Sequence, residues 1–565
     1  MKVEHYKALP DKIDEFKTYF INDASKEVKN MNLFKRRILG LSSYFRSAQE
    51  TLMPRYNRSQ DLRLIKIPMS DFQFGIYEEA RIEERKLEKR NASKKSKKKN
   101  KEGVEEESVS TYRIFSRAFC NFVFPRPEIP RPMPRDGDLT ASVSAELDED
   151  VLDALTDEDK LENVDGRYEA DELAEDTGAG SEEGVRGKDK VIYEKNIANA
   201  LKQLAVNKDK YLTPTALETY SPKFLHILEN IQDIDHEGLH LIYSQFRTLE
   251  GIGILKLVFE ANGFVQFKIK KVGESWQLNM TETELANPNR FALYTGTETD
   301  EEKEIMRNIF NGDWKYVPLA IESKLKKLGI NNMYGEVIKV LMISASGAEG
   351  ISLKNVRYVH ITEPYWHPVR MEQVIGRARR ICSHKDLPEA LRTVTVFLYL
   401  MNFSKEQLAS DRSIELRLQD KSKIDGETPL TSDEALFEIA TIKENINMNI
   451  LQAVKEASFD CALHAKVGAT EQLKCFTFGT LNSNKYAYYP SITEEEMDNV
   501  TEKNKGIRVS TVVDFKWIDG VTYKYNKDNG EVYDLESYKL GNPQTVGKLE
   551  IIGTGKAAQY KFEKV

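Results

Sequence analysis

Residues 192–420 predict an α/β domain with a parallel sheet covered by helices. Three observations carry this expectation. Apolar runs of strand length recur at 239–244, 291–294, 338–344, 356–362 and 394–400. Stretches of helical period lie between them, at 249–260 and 301–310, with an extended piece at 264–270. Polar loops follow the strand ends at 344 and 362, and a sheet of this kind presents its site at the carboxyl ends of its strands.

The flanking segments differ in composition. With 565 residues the chain holds several domains, and 30% of it is charged, with a net charge of -8. That balance excludes a chain that is basic throughout, but not a local nucleic-acid groove. Residues 1–135 predict a helical connector, including a charged helix at 77–90 and a solvated lysine loop at 94–101. Residues 136–191 predict a disordered acidic insert. Between Glu146 and Glu183 stand 17 acidic residues against two basic ones, Lys160 and Arg167, too little apolar surface to offset ordering entropy. Residues 421–468 predict a helical extension. Residues 469–565 predict a β-rich module with a hairpin at 527–530. The four cysteines (Cys120, Cys382, Cys461, Cys475) form no CxxC pair and read as reduced thiols of a soluble intracellular protein. No apolar run reaches membrane-spanning length, and residues 1–5 open no signal segment.

The strongest chemical signal is residues 373–380. Gln373, Arg377 and Arg380 fall at i, i+4 and i+7, one helical face. Two arginines one turn apart can reach a single polyphosphate, as arginine fingers do when charge builds on a transferring γ-phosphoryl group. An amphipathic helix with solvated arginines is the plainer alternative. The surroundings favour the chemical reading. Upstream, a strand runs into a small loop carrying Ser346, Gly347, Glu349, Gly350 and Ser352. A second strand follows, and then Glu363, Pro364, Tyr365, Trp366, His367 and Pro368 lead into the arginine helix.

This ordered set resembles motifs V and VI of the superfamily-two helicases, in their Swi/Snf-like branch. Residues 239–246, with Ser244 and Gln245, resemble motif IV. Ser352 stands where that branch usually carries Asn, and His367 replaces the Asn of its Trp-Asn-Pro. Residues 383–389 and 432–439 narrow the likeness to the helicase-like transcription proteins of large cytoplasmic DNA viruses, such as the poxvirus nucleoside triphosphatase I, the poxvirus early transcription factor and their giant-virus relatives. Residues 116–125 resemble the connector between the two lobes of those proteins.

The resemblance implies a RecA-like helicase C-terminal lobe that couples ATP hydrolysis to movement on DNA or RNA in viral transcription. It implies ATP and Mg2+ as cofactors. It places Arg377, Arg380 and Gln373 at the catalytic site and Gly376, Gly350 and Glu349 beside the nucleotide. Ser244, Gln245, Ser346, Gly347, Ser352 and Trp366 would contact nucleic acid. The implied partners are nucleic acid and viral RNA polymerase or transcription factors, in the virion or host cytoplasm, with no membrane.

A phosphate loop, GxxxxGK[ST], does not occur in these residues. Gly553, Gly555 and Lys556 imitate its end, but Ala557 replaces the Ser/Thr. Asp433 and Glu434 have the letters of a DExx box but fall after motif VI. The expectation is therefore an arginine-finger lobe whose phosphate loop sits on a missing N-terminal lobe. A helicase-like binding module without catalysis, docking on the transcription machinery, is the alternative.

Overall fold

The computed structural model describes residues 7–22, 25–44, 52–98, 113–132, 183–296, 298–327, 331–344, 350–410, 418–464 and 473–476, and, near the end of the chain, 512–517, 520–527, 529–539, 543–552 and 559–564. They form two units. One holds residues 52–365 and 369–436, the other 1–51, 366–368 and 437–565.

The first unit is built on seven strands: β1 (Leu62–Pro68), β2 (Leu239–Tyr243), β3 (Val265–Gln266), β4 (Arg290–Tyr294), β5 (Val340–Ile343), β6 (Val356–Ile361) and β7 (Thr395–Asn402). They lie in the order β1-β7-β6-β2-β5-β4-β3. Every neighbouring pair is parallel. Central strands β2 and β5 are buried at every residue. Helices cover both faces of such a sheet, so these strands read as continuous apolar runs instead of alternating ones.

His240 and His360 are the exceptions in that apolar interior, and both are fully buried. His240 Nδ1 and His360 Nε2 lie 3.0 Å apart, and His360 Nδ1 lies 2.8 Å from the Tyr399 hydroxyl. Burial keeps both rings neutral, with His360 lowered to about 3. The chain of hydrogen bonds is what lets three polar groups sit inside the sheet.

Sequence periodicity places the crossover helices well. Ile252–Ala261 follows β2, and Asp300–Phe310 follows β4. The second begins at Thr299, whose side chain accepts from the Glu302 amide, with Asp300, Glu301 and Glu302 in its first turn; both features favour a helix start. The turn from β2 into Ile252–Ala261 depends on Gly251. A Cβ there would lie 1.8 Å from the Phe246 carbonyl oxygen, which accepts from the Ile252 amide at 2.9 Å. Gly251→Ala is expected to lower stability by roughly 1–3 kcal/mol in urea unfolding. An unchanged midpoint would mean the turn yields without cost.

Several boundaries differ from the sequence expectation. The 1–135 connector is split: residues 1–51 belong to the second unit, and β1 is an edge strand of the main sheet, paired residue by residue with β7. The charged helix spans Asp71–Lys98, so the start of the lysine run is helical. The end of the acidic insert belongs to the helix Glu183–Val206, while residues 133–182 lie outside the described residues. The helix Ser432–Ala457 spans most of the helical extension, and its residues divide between the two units.

In the second unit, Phe20, Phe34 and Ile38 pack with Ala453 and Ala457. Residues 512–564 contribute a five-stranded antiparallel sheet in sequential order. Tyr523, Tyr525, Val532 and Leu549 form its small core. The cysteine expectation is corrected here. Cys461 and Cys475 are disulfide-bonded, and Cys120 and Cys382 are free. The fourteen-residue separation matches no sequence motif, so only the folded chain brings the two together.

Candidate nucleotide and nucleic-acid site

The loops that follow β6, β2 and β5 leave the same edge of the sheet from three adjacent strands. This is where an open parallel sheet gathers a site. The motif V loop, residues 345–349, leaves β5; Ser346, Gly347 and Glu349 lie outside the described residues. Gly350, immediately after it, is exposed at φ +73°, a left-handed conformation that favours glycine.

The motif VI helix spans Pro368–Ala378. Arg380 therefore lies beyond its end, so the single helical face expected from i, i+4 and i+7 stops at Arg377. Ser383 explains the end: its hydroxyl donates to the Ala378 carbonyl at 3.1 Å, one of the carbonyls a helix leaves open at its last turn. His384 then anchors the segment, with Nδ1 2.9 Å from the Ser383 hydroxyl and Nε2 2.9 Å from the Val356 carbonyl.

The arginines nonetheless converge. Arg377 Nη1 and Arg380 Nη2 each donate to the carbonyl of Ile351 at 3.3 Å. The Leu353 amide returns a bond to the Arg377 carbonyl at 3.3 Å. Two cationic groups are thus brought to one point on the tail of motif V. Arg377 is 9% exposed, and Arg380 is exposed. Gln373 and Gly376 are half-buried. A Cβ at Gly376 would meet nothing within 4 Å.

On the motif V tail a polar cleft of about 300 Å³ is lined by Arg307, Asn311, Asp313, Tyr316, Ser352 and Lys354, among others. Asn311 builds its floor by donating to the Ser352 carbonyl at 3.0 Å and accepting the Lys354 amide at 2.9 Å. Lys354 pairs with Asp313 at 2.5 Å. Ser352 is exposed.

Ser244 and Gln245 are placed differently from expectation. They are 0% and 1% exposed, and their bonds point inward. The Ser244 hydroxyl donates to Glu363 at 3.0 Å, and the Gln245 amide donates to the same carboxylate. The Gln245 side chain accepts from Arg117 at 2.5 Å and donates to the Pro364 carbonyl at 3.3 Å. In this conformation both side chains brace two site loops from beneath and offer no surface to a strand. Trp366, in the second unit, is half-buried, and the Lys443 ammonium sits 3.6 Å over its ring.

The bracing extends into a buried network that sequence reasoning missed. Asn121 donates to Glu363 at 3.2 Å. Lys223 donates to Asn121 at 2.9 Å and pairs with Asp433 at 2.6 Å, both charges being fully buried. Burial raises the Glu363 carboxyl, and Lys223, the Gln245 amide, Ser244 and Arg117 oppose that rise. Asp420 is held by Arg81 at 3.0 Å, by Arg113 at 2.8 Å and by Arg85. A lysine in the first turn of an apolar helix is the one local hint of Lys223, and a solvated lysine is its default reading.

The DExx letters at 433–436 serve structure. Thr431 and Glu434 form a capping box: the Glu434 amide donates to the Thr431 hydroxyl and the Thr431 amide to the Glu434 carboxylate, each at 3.1 Å. Desolvation pushes the Glu434 carboxyl up to about 7. A raised acid favours the folded state while it is protonated, so this contribution is whole below about pH 4.5 and is lost as pH rises through 7. Glu434→Gln keeps the cap and removes the charge. Its unfolding free energy should therefore fall less than the parent's between pH 5 and 8, by roughly 2–4 kcal/mol. Parallel pH profiles for the two proteins would contradict this. The other decoy, residues 553–557, lies outside the described residues.

A seven-stranded parallel sheet with crossover helices and two converging arginines fit a RecA-like helicase C-terminal lobe. Residues 280–382 match the family model of the helicase conserved C-terminal domain. The chain is a helicase-like protein, and the following relatives are viral proteins. It is 27% identical over 587 aligned residues to a protein of Acanthamoeba polyphaga mimivirus named as an ATP-dependent RNA helicase, which covers 95% of this chain and 63% of that protein. It is 31% identical over 272 residues to a termination factor NPH-I homolog of African swine fever virus, covering 44% of this chain and 34% of that one. It is 26% identical over 253 residues to a protein of Invertebrate iridescent virus 3 named as a helicase, covering 44% and 21%. The chain thus spans less than two thirds of the length of each of these relatives. No described helix is long and apolar enough to cross a membrane.

Proposed function

We propose that this chain is the second RecA-like lobe of an ATP-dependent helicase or translocase that moves on DNA or RNA during viral transcription. The observation that carries the reading is the convergence of Arg377 and Arg380 on the Ile351 carbonyl. Guanidinium groups are always charged and present forked donors, which suits them to a γ-phosphate. The open space beside Gly376 leaves room for a facing surface. The names of the relatives, RNA helicases and a termination factor, support the transcription context.

ATP with Mg2+ supplies the transferable phosphoryl group, held mainly by a RecA-like lobe that carries the phosphate loop. On this chain, Arg377 and Arg380 exchange their carbonyl contact for phosphate oxygens, and Gln373, one turn earlier, orients them. Gly376, Glu349 and Gly350 border the nucleotide. Ser346, Gly347, Ser352 and Trp366 lie toward the nucleic acid, with Ser244 and Gln245 bracing the loops. Viral RNA polymerase or transcription factors are the fitting protein partners, in the virion or the host cytoplasm. A second reading, an inactive module docking on the transcription machinery, is favoured by one fact: GxxxxGK[ST] does not occur in the 565 residues.

The test measures ATP turnover with nucleic acid present, first for the chain alone and then after joining it to a RecA-like lobe bearing a phosphate loop. Background turnover alone and arginine-dependent turnover when joined are expected. No turnover in either form supports the inactive module. Robust turnover by the chain alone, lost in Arg377→Ala, would overturn the need for a second lobe.

A further inference from the structure

We propose that the two-stranded ribbon Ile269–Val272 and Ser275–Leu278 is a second contact for the phosphodiester backbone of a nucleic acid, made by the ammonium groups of Lys268 and Lys270. The inference rests on the nucleic-acid reading above and extends it along the sheet edge.

Position is the first argument. The ribbon follows the carboxyl end of β3, and the neighbouring strands in order are β4, β5, β2 and β6. Those strands carry the Thr295 loop, the motif V loop, the Ser244 loop and the Glu363 loop at the same ends. At about 4.8 Å between neighbours, β6 to β3 spans roughly 19 Å. That is five to six nucleotides of a helical strand at about 3.4 Å each. The ribbon stands at the outer end of the sheet edge where these strands finish.

The ribbon's two faces are the second argument. One face is anchored: Ile269 and Leu278 are buried, and Lys271 pairs with Glu301, at the start of the helix after β4, at 2.6 Å. Strand alternation directs Lys268 and Lys270 to the other face. There Gln277 stands opposite Lys270, and the Asn279 amide donates to the Lys268 carbonyl at 2.9 Å. All four residues are exposed. Lys270 has no ion-pair partner among the described residues, and Lys268 only influences Glu284 at a distance, a carboxylate already engaged by the Thr281 amide at 2.7 Å. Two exposed lysines side by side on one face of the ribbon suit a polyanion. Lys271, committed to Glu301, takes no part.

The experiment is fluorescence anisotropy of the full chain with a 20-nucleotide single strand and a 20-base-pair duplex, titrated from about 50 to 200 mM salt. Lys268→Ala/Lys270→Ala should weaken binding at the lowest salt by about tenfold. It should also reduce the slope of log affinity against log salt by about 1.4 for the single strand and 1.8 for the duplex. Lys195→Ala/Lys202→Ala removes equal charge from the exposed side of the helix Glu183–Val206 and should leave the slope unchanged, and thermal melting checks that both variants fold. An unchanged slope in the ribbon variant, or an equal fall in both variants, overturns the ribbon contact while leaving the nucleic-acid reading standing. A parent chain with no salt-dependent binding overturns that reading and the ribbon with it.

Discussion

Arg377→Ala is expected to leave the fold in place and, under the proposed function, to remove most ATP turnover from the chain joined to a phosphate-loop lobe. An arginine on the transition-state phosphoryl group is worth about 10³–10⁵ in kcat. The Arg377 bond to the Ile351 carbonyl is long, at 3.3 Å, and Arg380 reaches the same oxygen, so the loss of that one bond costs about 1 kcal/mol or less; the buried side chain has further contacts, and the unfolding midpoint reads their cost separately. Arg377→Lys should not rescue the rate, because an ammonium is a point charge without the planar fork. The measurements are single-turnover hydrolysis at saturating ATP and a urea unfolding midpoint. A kcat within tenfold of the parent, with the fold intact, would remove Arg377 from the nucleotide site.

Lys223→Met should be the most destabilising single change in the lobe, at about 3–5 kcal/mol. It strands the fully buried Asp433 carboxylate and takes the ammonium donor from Asn121. The double variant Lys223→Met/Asp433→Leu should recover a large part of that loss, since a buried ion pair offsets its own desolvation only in part. Recovery should be incomplete, because Asp433 also accepts the Met401 amide at 3.1 Å. A double-mutant cycle from urea unfolding reads the coupling directly. If Lys223→Met costs under about 1 kcal/mol, the pair is not the anchor described here. The effect should also reach the site loops, because Asn121 links Lys223 to Glu363, and Glu363 to Ser244 and Gln245.

Much of the lobe was legible in the sequence because its signals are local. The apolar runs at β2, β5 and β6 and the helices at 252–261 and 300–310 fall within a few residues of expectation. Gln373, Arg377 and Arg380 were visible as a pattern, and the structure brings both arginines to one oxygen. The shared helical face that their spacing suggested does not form, since the helix ends at Ala378 with a hydroxyl bond from Ser383 and leaves Arg380 beyond it. Ser244 and Gln245 were expected as contact residues through the likeness of residues 239–246 to motif IV. Their burial depends on Glu363 and Arg117, which are distant in sequence.

The sequence by itself determined the parallel α/β class and the arginine pair, which are written in periodicity and short spacing that local backbone geometry translates directly. The order of motifs IV, V and VI rests on the resemblance to the superfamily-two helicases, and GxxxxGK[ST] does not occur in these residues. Tertiary structure alone decided that residues 62–68 extend the sheet beside β7, that Lys223 meets Asp433, and that Cys461 meets Cys475. Parallel pairing and buried ion pairs join segments far apart in the chain. Their stability depends on the closed core around them, where attraction has to offset desolvation and loop-closure entropy, and no local window of residues encodes that balance.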